Sequence, residues 1–273
     1  MPLYRPSSLR HFLQQQGINP NKKLSQNFLI DGNIIRKIVD VADIASGDHI
    51  IEVGPGPGSL TEALLNAGAT VLAVEKDRKL AAALERLQTE DKRLTVLHED
   101  ILTFKTNHLV HTKLVANLPY HLTTPILTKF LPCRHSLSMV VVMVQEEVAE
   151  RLCAQPRSKD YSSFTVFVNY HACVKHTFHV SRHCFYPEPK VDSAVVRLDL
   201  VEPPHVSNEE KFFTILHTAF QQRRKMLRSS LKVFYSPERI MQTLSTIEED
   251  PLARPEELSL KKFLLLFEEL EAQ

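Results

Sequence analysis

Residues 49–61 read HIIEVGPGPGSLT, and this stretch decides the fold. The run at 49–53 has the β-branched, apolar character of a buried strand and passes directly into Gly54, Gly56 and Gly58. A helical pattern then opens at Ser59. Glycines at a strand-to-helix turn let the backbone reverse tightly and approach a ligand. The unbonded N–H groups at the helix start favour a negatively charged group beside them.

Working outward, strand-like runs recur at 70–74, 94–98, 113–116 and 139–144, with helical patterns at 33–45, 59–67, 77–88, 124–130 and 145–154. Strands separated by helices predict an α/β fold: a doubly wound, mostly parallel sheet covered on both faces. Two more strands, 174–180 and 194–200, flank the FYPEP turn at Phe185 to Pro189 and are expected to extend one edge as an antiparallel hairpin. Beyond Val201, Pro203 and Pro204 interrupt the chain and the pattern turns helical, so the expected domains are 1–201 and 202–273. In the latter, Leu216, Phe220, Leu227 and Leu231 share one helical face, while Arg223, Arg224, Lys225 and Arg228 crowd the others. A second helical pattern covers 258–270.

With 273 residues and 43% hydrophobic content, the chain can bury a large core. Its 33 basic and 32 acidic residues nearly cancel, so net charge gives no reason to expect a polyanionic partner, but the distribution does. Residues 1–30 carry Arg5, Arg10, Lys22 and Lys23 with no acid, whereas the chain from Glu238 onward holds nine acids against four bases. No apolar run is long enough for a membrane span and no signal peptide is recognisable, so a soluble, cytoplasmic protein is expected; a monomer is also expected, although nothing in the sequence reads out the oligomeric state. His171, Cys173, His176, His179, His183 and Cys184 lie close together but form one cluster without a CxxC pair. That spacing argues against zinc, and no metal is expected. An alternating strand with outward-facing histidines is the preferred reading.

The ends of the expected strands carry the chemistry. Glu75 follows the second strand, where a carboxylate can accept hydrogen bonds from ribose hydroxyls, as either NAD or S-adenosylmethionine would require. The glycine spacing is GxGxG, one residue short of the dinucleotide GxGxxG, which favours S-adenosylmethionine and disfavours a nicotinamide dehydrogenase. Asp100, after the third strand, can accept from the adenine amine of that donor. The fourth strand ends in Asn117, Leu118, Pro119 and Tyr120. An exocyclic adenine amine is a poor nucleophile because its lone pair is delocalised into the ring. The Asn117 amide oxygen and the carbonyl of Leu118 or Pro119 can each accept an amine hydrogen and draw the nitrogen toward tetrahedral geometry. Proline stiffens the turn, and Tyr120 offers an aromatic face for an unstacked base. A sulfonium leaves readily, so in-line placement suffices and no dedicated general base is needed.

With EVGPGPGSLT, VEKD, HEDIL and NLPY in order, the chain resembles the ribosomal RNA adenine N6,N6-dimethyltransferases. KLSQNFL at 23–29, FYPEPKVDSAVVRL at 185–198 and AFQQRRKMLRSSL at 219–231 extend the likeness over nearly all of the chain to about residue 235. The resemblance implies a seven-stranded class I methyltransferase sheet with a small helical C-terminal domain. It also implies dimethylation of two neighbouring adenines in the 3′-terminal hairpin loop of small-subunit (16S) rRNA. Within it, Asn27 and Leu29 would close over the donor, Gly54 would line it, and Glu52 would sit behind the loop. Glu75 would hold the ribose, Asp100 the adenine, and Asn117 would adjoin the methyl. RNA phosphates are expected at Arg223, Arg224, Lys225 and Arg228, on a basic helix over 223–232, and along the N-terminal arm. His121 departs from the family, which usually has asparagine there, and the stretch Tyr161, Ser162, Ser163 lacks a common glycine. The competing readings are a resistance-type dimethylase of large-subunit rRNA and a non-enzymatic ribosome assembly factor.

Overall fold

The computed structural model describes residues 2–20, 26–88, 90–107, 109–222 and 225–272. Their contacts divide the chain into two compact units, 1–149 with 173–201, and 150–172 with 202–273.

Among the described residues the first unit is built on nine strands: β1 (Phe28–Leu29), β2 (His49–Val53), β3 (Thr70–Glu75), β4 (Leu94–His98), β5 (Thr112–Asn117), β6 (Leu137–Gln145), β7 (Ala172–Val180), β8 (Phe185–Tyr186) and β9 (Ser193–Leu200). Seven of them form one sheet in the order β4-β3-β2-β5-β6-β9-β7. The pairs β2–β3, β2–β5, β3–β4 and β5–β6 are parallel, and β6–β9 is antiparallel, as the mostly parallel expectation required. Central strands of such a sheet are covered on both faces and must be apolar throughout. In β2 only His49 is exposed, and Val140 to Val144 of β6 are all buried. The later strands do reach the far edge, but β9 inserts between β6 and β7.

Helices α1 (Pro6–Gln15), α2 (Gly32–Val41), α3 (Ser59–Asn66), α4 (Arg78–Leu84), α5 (Thr123–Phe130) and α6 (Glu146–Leu152) lie between or before these strands. Asp31 and Asp77 cap α2 and α4, each side chain accepting two N–H bonds from the first turn and satisfying donors that the helix leaves unbonded. A separate apolar cluster joins Leu9, Phe12 and Leu13 of α1 to Phe28 of β1 and to Leu80 and Ala83 of α4. The β1 strand pairs antiparallel with β8, Phe28 opposite Tyr186 and Leu29 opposite Phe185. A strap from the N-terminal arm is thereby tied to the FYPEP segment.

In the second unit, α7 (Ser163–His171), α8 (Glu209–Phe220), α9 (Leu227–Ser230), α10 (Pro237–Thr246) and α11 (Leu260–Glu271) share one core that includes Tyr161, Phe212, Leu244 and Phe267. Residues 150–172, placed with the sheet domain by sequence, cluster here instead. The reason lies in α7, which the sequence reading did not anticipate. A capping box between Ser162 and Thr165 starts it, and Tyr161 donates its hydroxyl to Leu258 O at 3.0 Å.

The expected basic helix over 223–232 is also corrected. Among the described residues, α8 ends at Phe220 and α9 begins at Leu227, whose N–H is taken by Ala253 O at 2.9 Å, and α9 ends at Ser230. Arg223 and Arg224 lie outside the described residues. Lys225 is exposed, and Arg228 is half-buried against Met241 Sδ at 3.5 Å. Among the described residues no helix is long and apolar enough to cross a membrane.

Candidate active site

Because β2, β3, β4 and β5 run parallel and in register, their C-terminal ends open onto one side of the sheet, where open α/β sheets hold ligands. A cleft there is lined by Asn27 and Leu29 from the strap, Glu52, Gly54 and Gly56 after β2, Glu75, Asp100, and Asn117 through Tyr120. These were the residues singled out in the sequence. Gly58 is the exception, since it does not line the cleft. It caps α3 with φ +88°, and a Cβ there would meet Leu84 Cδ2 at 2.7 Å and Leu87 Cδ1 at 2.8 Å. Its glycine therefore serves the turn and the packing beneath it.

The glycine loop is held to the next strand by a carboxylate. Glu75 is buried, its Oε2 accepting Gly56 N–H at 3.0 Å and its Oε1 accepting Asp77 N–H at 2.8 Å. Burial pushes this carboxyl upward from its ordinary range, against the pull of the two N–H donors. Each oxygen still has a lone pair for a ribose hydroxyl. Glu52 lies deeper, 1% exposed, and its Oε2 has no hydrogen-bond partner. Burial pushes its carboxyl up to about 8; the neighbouring Thr61 hydroxyl offsets only part of this, and the charge of Glu75 adds to it. Glu52 is therefore protonated at neutral pH, an O–H donor behind the loop.

Asp100 is solvated and anionic. Lys76 Nζ donates to its Oδ2 at 2.7 Å and Leu102 N–H to its Oδ1 at 2.9 Å, and these donors hold the carboxyl below its usual range. Lys76 escaped the sequence reading because a lysine after a strand-end glutamate is ordinarily a solvated charge. Phe28 escaped it too, although it stands between two residues singled out there. A Cβ on Gly56 would lie 3.1 Å from the Phe28 ring, so the strap rests directly on the glycine loop.

Asn117 closes the far side. Its Nδ2 donates to Asn27 O at 3.1 Å, and a carbonyl can only accept, so the orientation of the amide is fixed with Oδ1 left to serve as an acceptor. Pro119 O takes Leu122 N–H at 2.9 Å to form the turn that begins at Tyr120. The Tyr120 hydroxyl bonds Ser193 Oγ at 2.8 Å, a buried serine of β9, and burial raises the phenol above its ordinary value.

Histidines of β7 and the following turn bond carboxylates instead of one another: His176 Nε2 lies 3.0 Å from Glu146, His179 3.4 Å from Asp192, and His183 3.2 Å from Glu188. Among the described residues no group of three or more His, Cys, Asp or Glu side chains could hold a metal ion.

The family described as Ribosomal RNA adenine dimethylase matches residues 17–272. The chain belongs to that family. Relatives named Ribosomal RNA small subunit methyltransferase A are 54% identical in Protochlamydia amoebophila, over 99% of this chain and 98% of the relative, and 44% identical in Chlamydia caviae, over 96% of each. Among solved structures, a dimethyladenosine transferase from Plasmodium falciparum superposes with TM-score 0.76 at 25% identity, over 90% of this chain and 98% of that one. The 23S rRNA methyltransferase ErmE does so with TM-score 0.72 at 26% identity, over 90% and 100%. A dimethyladenosine transferase and a 23S rRNA methyltransferase thus share this methyltransferase fold.

Proposed function

We propose that this dimethylase transfers methyl groups from S-adenosylmethionine to N6 of two adjacent adenines in the 3′-terminal hairpin loop of small-subunit (16S) rRNA. It acts as a cytoplasmic monomer on the small subunit or its precursor during ribosome biogenesis. The fit to the donor rests on three features: a glycine loop drawn against a buried carboxylate, a neutral Glu52 behind it, and an anionic Asp100 at the rim. Glu75 would hold the ribose hydroxyls, Asp100 the adenine amine, and Gly54, Gly56, Asn27 and Leu29 the space between. When bound, the donor supplies a methyl on a sulfonium, which needs no further activation.

The observation that carries the reading is the bond from Asn117 Nδ2 to Asn27 O. With the amide so oriented, Asn117 Oδ1 accepts one hydrogen of the substrate amine. Pro119 O is already engaged by Leu122, which favours Leu118 O as acceptor for the other. Two acceptors draw the amine toward tetrahedral geometry and concentrate its lone pair on the side facing the methyl. Tyr120, tethered through its hydroxyl, presents its ring to the flipped base. The product proton leaves to water. After one methylation a single amine hydrogen remains, so the second transfer uses only one acceptor.

The small-subunit target is favoured over the large by the relatives at 54% and 44% identity. Lys225 and Arg228 in the second unit, with Arg5 and Arg10 of the arm, are the described cations assigned to phosphate contact. The test incubates purified protein and labelled donor with naked rRNA, small subunits and large subunits, then maps the methylated bases. Label confined to large-subunit RNA would overturn the assignment.

A further inference from the structure

Residues 100–104 form a single tight turn after β4. Asp100 O accepts Thr103 N–H at 3.0 Å and Phe104 N–H at 3.1 Å, while Asp100 Oδ1 accepts Leu102 N–H at 2.9 Å. A lone turn has no following turn to use its last carbonyls, so they need an outside donor. Lys129, in the last turn of α5, supplies one. Its Nζ lies 3.0 Å from Ile101 O, 2.7 Å from Leu102 O and 2.5 Å from Phe104 O. An ammonium has three N–H groups, and here each has a carbonyl of the loop that carries Asp100. A cation at the carbonyl end of a helical turn also meets its negative pole.

We propose that Lys129 is a positioning residue for the methyl donor: by pinning the 100–104 turn it places Asp100 to receive the donor's adenine amine, and so sets the preference for adenine. This rests on the assignment of Asp100 given above. Ile101 and Leu102, whose carbonyls Lys129 holds, themselves line the cleft. With the ammonium removed, three carbonyls lose their donor and the turn must rearrange to reach water, carrying Leu102 N–H and the carboxylate it orients. A charge-assisted hydrogen bond to an amine weakens steeply with such misalignment. Because α5 begins directly after the Tyr120 turn, the same helix couples the adenine end of the cleft to its reacting end.

The test measures, by calorimetry, the affinity of full-length protein for S-adenosylhomocysteine and for its analogue with hydrogen in place of the adenine amine. Wild type should prefer the amine-bearing ligand by roughly ten- to hundredfold, the range of one charge-assisted hydrogen bond. Asp100→Ala should abolish the preference, Lys129→Met should reduce it severalfold, and Lys129→Arg, which still donates to carbonyls, should keep most of it. Lys129→Gln replaces the methionine variant should that fail to fold, as judged by thermal melting. If the Lys129 variants weaken both ligands equally and leave the preference intact while Asp100→Ala removes it, Lys129 is a structural prop and the inference falls alone. If Asp100→Ala keeps the preference, the assignment of Asp100 falls and the inference with it.

Discussion

Replacing Glu52 by Gln should make the protein's stability less sensitive to rising pH. Glu52 is 1% exposed, and burial carries its carboxyl from the ordinary 4.5 to about 8. The unfolded chain releases this proton near the ordinary value, so between the two values the folded state binds more protons than the unfolded. Stability then falls as pH rises through that window and levels off above it. At ~1.4 kcal/mol per unit, the two units from about pH 6 to about pH 8 cost the wild type on the order of 3 kcal/mol from this one group. Gln is neutral at every pH and nearly isosteric, so the variant lacks that term while every other titrating group is shared. Urea unfolding of both proteins at the two pH values gives the comparison directly. Equal losses in wild type and Glu52→Gln would mean that the carboxyl is not held protonated, and the account of an O–H donor behind the loop would fail.

Asn117→Ala removes the oriented acceptor but little of the donor cleft. It should lower transfer by roughly 10²- to 10³-fold in single turnover while calorimetric donor affinity stays within a few-fold, and near-normal turnover would refute its role. Gly58→Ala places a Cβ 2.7 Å from Leu84 at a φ of +88°, and should destabilise by roughly 1–3 kcal/mol in denaturant melts, a cost that unchanged melting would rule out. Lys225→Ala should weaken RNA binding and reduce the slope of log affinity against log salt by about 0.7–0.9 if it neutralises one phosphate. An unchanged slope would remove it from the interface.

The cleft was legible because parallel strands in register bring their ends together. Once Glu75, Asp100 and Asn117 are each assigned to a strand end, the sheet order places them side by side without further information. The same logic could not find Lys129, whose partners lie 25 to 28 positions away in a loop, or Asn27 O, 90 positions from the amide it orients. Those bonds are set by how helix, strap and loop meet, and no local spacing encodes them. The basic helix shows the converse failure. Leu216, Phe220, Leu227 and Leu231 keep helical spacing because all four are buried in one core, yet two separate helices satisfy that spacing as well as one. At the start of α9 the N–H of Leu227 is taken by Ala253 O, a long-range bond that hydrophobic periodicity cannot report. Residues 150–172 were misplaced for a related reason: a short β-branched and aromatic stretch reads ambiguously until the Ser162–Thr165 box commits it to helix and Tyr161 ties it to Leu258. Local pattern thus picked out groups that line the cleft, while the groups that hold them in place became visible only through contacts between distant segments.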